Sequence, residues 1–182
     1  MKTKIGFAAV LFFVVSVYVF PQTKEVYADK SNSTITYRLS HPLHEVESTS
    51  KNVDCLIDID KSTKEISEVK VQVYVTTFNS GNSNRDSHAM EVIDALDYPD
   101  AEFVSSSVKS NDDSLKVYGK LTFHGITKDI VISAIKKLDG NKLLVKGNFD
   151  ISLTEFKIER PSLLLIPVSD DLKFSFVENF NL

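Results

Sequence analysis

Apolar side chains fall at every second position over most of this chain. Ile35, Tyr37 and Leu39 alternate with Thr36, Arg38 and Ser40 before a break at His41-Pro42-Leu43-His44, which predicts a half-buried strand ending in a turn. Val53, Cys55, Ile57 and Ile59 form a second apolar face. The polar stretch Lys61–Glu65 then leads into Val69, Val71, Val73 and Val75, so these two strands read as a hairpin. After the loop-like Asn79–Asp86, the period changes. Ala89, Val92, Ile93 and Leu96 fall at i, i+3, i+4 and i+7, one face of an amphipathic helix over about 86–97. Asp86 or Ser87 is placed to cap it, and Tyr98-Pro99 to end it. Period two resumes over Phe103–Val108, over Leu115–Phe123 up to His124-Gly125, and over Ile130–Leu138. After the turn Asp139-Gly140-Asn141 it continues over Leu143–Phe156, then over Leu172, Phe174 and Phe176.

About eight strands and one short helix follow from this pattern, with no internal repeat and no linker long enough to divide the chain. Short turns favour antiparallel pairing, and a sheet of this size removes its exposed edges by closing on itself. The expected architecture is therefore all-β, an eight-stranded antiparallel lipocalin-like barrel. Its interior holds either packed side chains or one elongated ligand.

The amino terminus departs from the pattern. Met1-Lys2-Thr3-Lys4 precedes an uncharged run, Ile5–Phe20, that stops at Pro21. This is the layout of a secretory signal peptide, and the run is shorter than the roughly 20 residues a membrane-spanning helix prefers. Residues 1–22 are read as the signal and 23–182 as a single barrel domain, periplasmic or secreted. Removing Met1–Gln22, which carries two of the 21 basic side chains, leaves 160 residues with 19 basic against 25 acidic groups, a net charge of −6. Such a surface repels nucleic acid. The lone Cys55 has no disulfide partner, and its place in an alternating run reads as a small buried hydrophobe.

Candidate chemistry is sparse. The chain has no G-x-S-x-G elbow, no H-E-x-x-H and no phosphate loop, and Asp170-Asp171 reads as a solvated turn, so no catalytic residues are assigned and the protein is expected not to be an enzyme. His41, His44, His88 and His124 all fall at turns or at the helix start without the spacing of a metal site, and no metal is assigned. Arg85 and His88 are offered as head-group contacts, because a helix amino terminus favours anions.

Arg85-Asp86-Ser87-His88 leading towards Tyr98-Pro99, and the block Val117–Lys128 (VYGKLTFHGITK), resemble the two best-marked segments of the YceI-like family. Leu153–Ile158 followed by Ser169–Leu172 is similar to that family's closing hairpin. The resemblance runs from about Ser33 to Phe180, and the chain departs from the commoner pattern in the apolar segment Arg160–Pro167. The resemblance implies a lipocalin-like barrel, exported to the bacterial periplasm, that holds a long isoprenoid chain. The inward residues assigned to that ligand are Tyr37, Leu39, Val71, Val73, Val75, Phe123, Phe149, Ile151, Phe174 and Phe176. No cofactor other than an apolar lipid is expected. The competing reading is an exported interaction protein with a filled core, whose Leu163–Ile166 segment docks a partner or a membrane surface. Homodimer formation is left open.

Overall fold

The computed structural model describes residues 22–182. The apolar run Ile5–Phe20, and with it the signal-peptide reading, lies outside the described residues. Twelve strands follow in chain order: β1 (Thr23–Tyr27), β2 (Thr34–His41), β3 (His44–Ser50), β4 (Val53–Asp60), β5 (Ile66–Tyr74), β6 (Asp100–Asn111), β7 (Ser114–Phe123), β8 (Ile126–Asp139), β9 (Lys142–Ser152), β10 (Ser162–Leu163), β11 (Ile166–Pro167) and β12 (Asp171–Asn181). Helix α1 (Ser83–Val92) lies between β5 and β6. Ten strands form one sheet in the order β1-β4-β5-β6-β7-β8-β9-β12-β2-β3, and β10 pairs with β11 in a separate ribbon. Every pairing is antiparallel.

The sheet curls into a partly closed barrel because one edge of β12 serves two partners. β2 pairs along Leu172–Val177, and beyond it Ala28 bridges Phe180 while the Asp29 amide donates to the Asn179 carbonyl at 2.7 Å. Between these contacts the chain loops out at Asp29–Asn32, where the Asp29 carboxylate accepts from the Ser31 amide and hydroxyl at 3.0 and 2.6 Å. Strand β3 meets the segment after β5 through Thr49 and Asn79.

The expected eight strands thus become ten in the main sheet. The β4–β5 hairpin holds in the expected register, Val53 opposite Val73, Cys55 opposite Val71 and Ile57 opposite Val69. Two strands went unread for want of an alternating apolar face. β1 (TKEVY) buries Val26 as its one inward apolar residue, and β3 (HEVESTS) turns Ser48 and Ser50 inward. Two expected strand ends are instead turns: Val75 opens a short 3-10 turn (Val75–Thr77), and Phe156 closes another (Thr154–Phe156).

The helix also differs from 86–97. It starts at Ser83, where the Asn82 side chain caps the amides of Asn84 and Arg85 at 3.1 and 3.2 Å, and it ends at Val92, two residues before Asp94 takes φ 47°. A left-handed residue stops the helical ladder. Leu96 consequently stands fully exposed instead of continuing the apolar face.

Candidate functional site: an apolar cavity inside the sheet

Inward side chains of a wide curled sheet leave space along its axis when no bulky plug fills it. Here that space is a cavity of about 460 Å³, within the roughly 300–1,000 Å³ of small-molecule sites. All ten residues assigned to the interior line it: Tyr37 and Leu39 from β2, Val71 and Val73 from β5, Val75 after it, Phe123 from β7, Phe149 and Ile151 from β9, and Phe174 and Phe176 from β12. The period-two phase put them on one face, and pairing keeps them level. Phe174 lies opposite both Tyr37 and Phe149. Its ring stacks on Phe149 with centroids 4.8 Å apart and meets Tyr37 edge-on at 6.4 Å.

Two further wall positions are glycines. Gly119 on β7 and Gly147 on β9 occupy inward positions where a Cβ would overlap the rings of Phe103 and Phe176. Each ring folds over the neighbouring strand's glycine. Cys55 also lines the cavity, and burial pushes its thiol well above the ordinary range, so it is an inert part of the wall.

The mouth lies where the lining residues become exposed: His44 at the β2–β3 turn, His88 on α1, and Ser162 and Leu163 on β10. Arg85 and His88 both reach the lining, on different terms from those expected. Because α1 begins at Ser83, His88 sits on its second turn. The first amides are taken by Asn82, and Asp86 already supplies an anion to the first turn. The Arg85 guanidinium is tied to the loop before the helix, donating to the Ser80 hydroxyl and carbonyl at 2.9 Å each. Beside the mouth, the β10–β11 turn exposes Leu164 and Leu165, both in the left-handed region at φ 53° and 67°.

The histidines serve separate structural contacts. His41 Nε2 lies 3.0 Å from the Ile166 carbonyl, which ties the β2–β3 tip to the ribbon. His124, at φ 49° in the two-residue β7–β8 turn, holds the Phe156 carbonyl at 2.9 Å through Nδ1 and packs against the Tyr98 ring at 4.7 Å. Gly125 beside it leaves no room for a Cβ against Tyr98. The LTFHGITKD block therefore acts as a clamp on the segments that follow α1 and β9. Among the described residues no group of three or more His, Cys, Asp or Glu is arranged to hold a metal ion.

One lining residue was overlooked. Glu178 shares the inward phase of Phe174, Phe176 and Phe180, is 5% exposed, and lines the cavity. Burial pushes its carboxyl up to about 7, against a smaller opposing effect of the Ser33 hydroxyl. Continuing the alternation of β12 by one step would have found it.

A model of the YceI-like domain matches residues 27–180 of this chain, most of its length. The chain belongs to the YceI-like family. This YceI-like chain is 28% identical over 154 residues to a UPF0312 protein of Pseudomonas savastanoi pv. phaseolicola, covering 79% of this chain and 80% of the relative. It is 28% identical over 103 residues to the protein YceI of Escherichia coli O157:H7, covering 55% and 54%. Its fold superposes on BcnA of Burkholderia cenocepacia with TM-score 0.75 at 20% identity, over 84% of this chain and 98% of BcnA. A polyisoprenoid binding domain from Saccharophagus degradans, implicated in plant cell wall breakdown, superposes with TM-score 0.68 at 13% identity, over 88% and 99%. The YceI-like barrel expected from the sequence is thus the fold observed.

Proposed function

We propose that this protein is an exported, non-catalytic binding protein that holds an apolar lipid of the isoprenoid class inside its barrel, as carrier or store. The observation that carries this reading is the cavity itself: about 460 Å³ of space walled by valine, isoleucine, leucine and phenylalanine side chains. A core meant to be filled would close such a space, because empty apolar volume destabilises a fold. The likeness in fold to the polyisoprenoid binding domain from Saccharophagus degradans supports the choice of ligand class. Export rests on the Lys2–Phe20 pattern and predicts a secreted chain beginning near Thr23, read from its intact mass.

The exposed Leu164-Leu165 tip beside the mouth supports contact with a lipid surface, since an apolar ligand crosses water least when the mouth opens onto its source. Arg85 and His88 at the rim would meet whatever part of the ligand stays outside. The single test of the binding reading is mass spectrometry of an organic extract from natively purified protein, alongside Val73→Phe. Val73 is buried and lines the cavity. A phenyl ring there should displace the co-purifying lipid and leave the melting temperature of the emptied protein nearly unchanged. In a filled core, overpacking would cost about 1–3 kcal/mol, roughly 3 to 10 °C in Tm for a domain of this size. No lipid in the wild type, with a variant melting well below it, would refute the binding reading.

A further inference from the structure

Away from the mouth, where His41, His44, Arg85, His88 and Ser162 reach the lining, the cavity wall is apolar except for the tyrosine Tyr37 and one carboxyl. Glu178 lies on β12 four residues beyond Phe174, about 13 Å deeper at the ~3.3 Å rise of a strand, at the level where Ala28 bridges Phe180. Its neighbours across the sheet bring no charge: Val145 faces it from β9, and the buried thiol of Cys55 on β4 senses it. On its own strand Phe176 and Phe180 flank it. Burial and the Ser33 hydroxyl are the influences that act on it, with no cation of the described residues among them. Its Oε2 has no hydrogen-bond partner in the protein. A buried polar atom left unpaired is costly, and a leucine of similar size would line this space without that cost.

We propose that Glu178 is the polar subsite of the cavity and selects lipids whose head is neutral and hydrogen-bonding, a hydroxyl or primary amide, which enter head first and pair with Oε2. This rests on the lipid-binding reading and names the ligand more closely. A protonated carboxyl at the inner end offers both a donor and an acceptor, and with no cation acting on this place a phosphate or carboxylate brought to it would be buried without a counter-charge. An anionic lipid would have to enter tail first, leaving its head at the Arg85 rim and Oε2 unpaired. The two orientations therefore differ by one buried hydrogen bond, and the neutral head is favoured.

Three fifteen-carbon probes separate the cases: farnesol, farnesyl phosphate and the saturated hydrocarbon farnesane. Each competes with the neutral fluorophore N-phenyl-1-naphthylamine for delipidated wild type, Glu178→Leu and Glu178→Gln. The readout is the ratio of farnesol to farnesane affinity, compared between proteins so that the transfer of the shared chain cancels. We expect that ratio to fall about tenfold in Glu178→Leu, the worth of one buried hydrogen bond, and to survive in Glu178→Gln, whose amide also donates and accepts. Farnesyl phosphate should bind the wild type more weakly than farnesol. An unchanged ratio in Glu178→Leu, or tighter binding of the phosphate, would overturn the subsite while leaving lipid binding intact. Failure of all three probes to displace the fluorophore from the wild type would overturn both readings together.

Discussion

The two ends of the cavity are built on opposite rules. At the mouth, groups that belong in water or are ordinarily packed away stand side by side: His44 and His88 are exposed, Arg85 is fastened to Ser80, and the leucines of the β10–β11 turn point into solvent. At the inner end, nearly everything is apolar and enclosed, with Val26, Ile57, Leu143 and Phe180 each at most 9% exposed, yet a carboxyl sits among them. The mouth tolerates disorder in chemistry because water satisfies what the protein leaves unpaired. The inner end has no such reserve, so a polar group kept there must be matched from elsewhere. On the proposed lipid-binding reading, affinity for the chain is spread over the walls, whereas selectivity is concentrated where solvent cannot compensate.

The largest effect that would sharpen this contrast is a truncation. Phe180→Ala at the inner end, where the ring is 2% exposed, should lower stability by about 3–5 kcal/mol, measured by denaturant unfolding. Leu165→Ala at the mouth, 96% exposed, should leave it unchanged. Equal losses at both sites would erase the distinction.

Next comes pH. The Glu178 carboxyl is raised from its ordinary 4.5 to about 7, so its neutral form is the one the fold favours. The stability linked to that form is full below about pH 4.5 and is lost as pH rises through 7, amounting to about 3 kcal/mol. Glu178→Gln should remove this slope from the melting temperature between pH 5 and 8. A wild-type profile as flat as the variant's would show that the carboxyl is already ionised and hydrated.

A smaller effect of opposite sign is expected at the mouth. Two successive residues with positive φ suit Asn-Gly, and a side chain such as leucine costs roughly 1–2 kcal/mol in that region. Leu164→Asn with Leu165→Gly should therefore raise Tm by a few degrees while weakening adsorption to neutral phosphatidylcholine vesicles. A variant that gains stability and adsorbs as before would free the tip of any role at a lipid surface. Smallest of all, a chelator should leave the melting temperature where it was, since His41 and His124 are held in structural contacts and the exposed His44 and His88 belong to no group of three or more possible ligands among the described residues.

The walls were legible in the chain and the closures were not. Runs such as Val69–Val75 and Leu115–Phe123 carry their inward face as a strict alternation, and the cavity lining of Val71, Phe123 and Phe174 follows from that phase alone. β3 gave no such signal, because its inward positions are Ser48 and Ser50, and the Ser50 hydroxyl bonds Thr77 at 2.7 Å instead of packing on a hydrophobe. The limits of α1 were hidden by Asp94, whose left-handed turn is not encoded by a glycine or proline. Glu178 escaped for the opposite reason: its position was readable, but a charged residue type argues for the outer face until its surroundings are seen.

Gly119 and Gly147 extend these ideas to the girth of the molecule's contents. The rings of Phe103 and Phe176 lie where those two side chains would be, so the width of the lumen is recorded in atoms the walls do not have. Adding a methyl group at Gly147 would press on the Phe176 ring and also come within 2.7 Å of the Ser133 carbonyl, so the neighbouring backbone would have to shift as well. Trimming the ring alone would open a hollow against the strand. Because trimming the ring does not move that backbone, the glycine stays fixed whichever ring lies over it; the Val104 carbonyl, 2.5 Å from a Cβ at Gly119, holds that glycine in the same way. A sibling protein adapted to a bulkier guest should therefore carry a smaller side chain in place of the ring and keep the glycine.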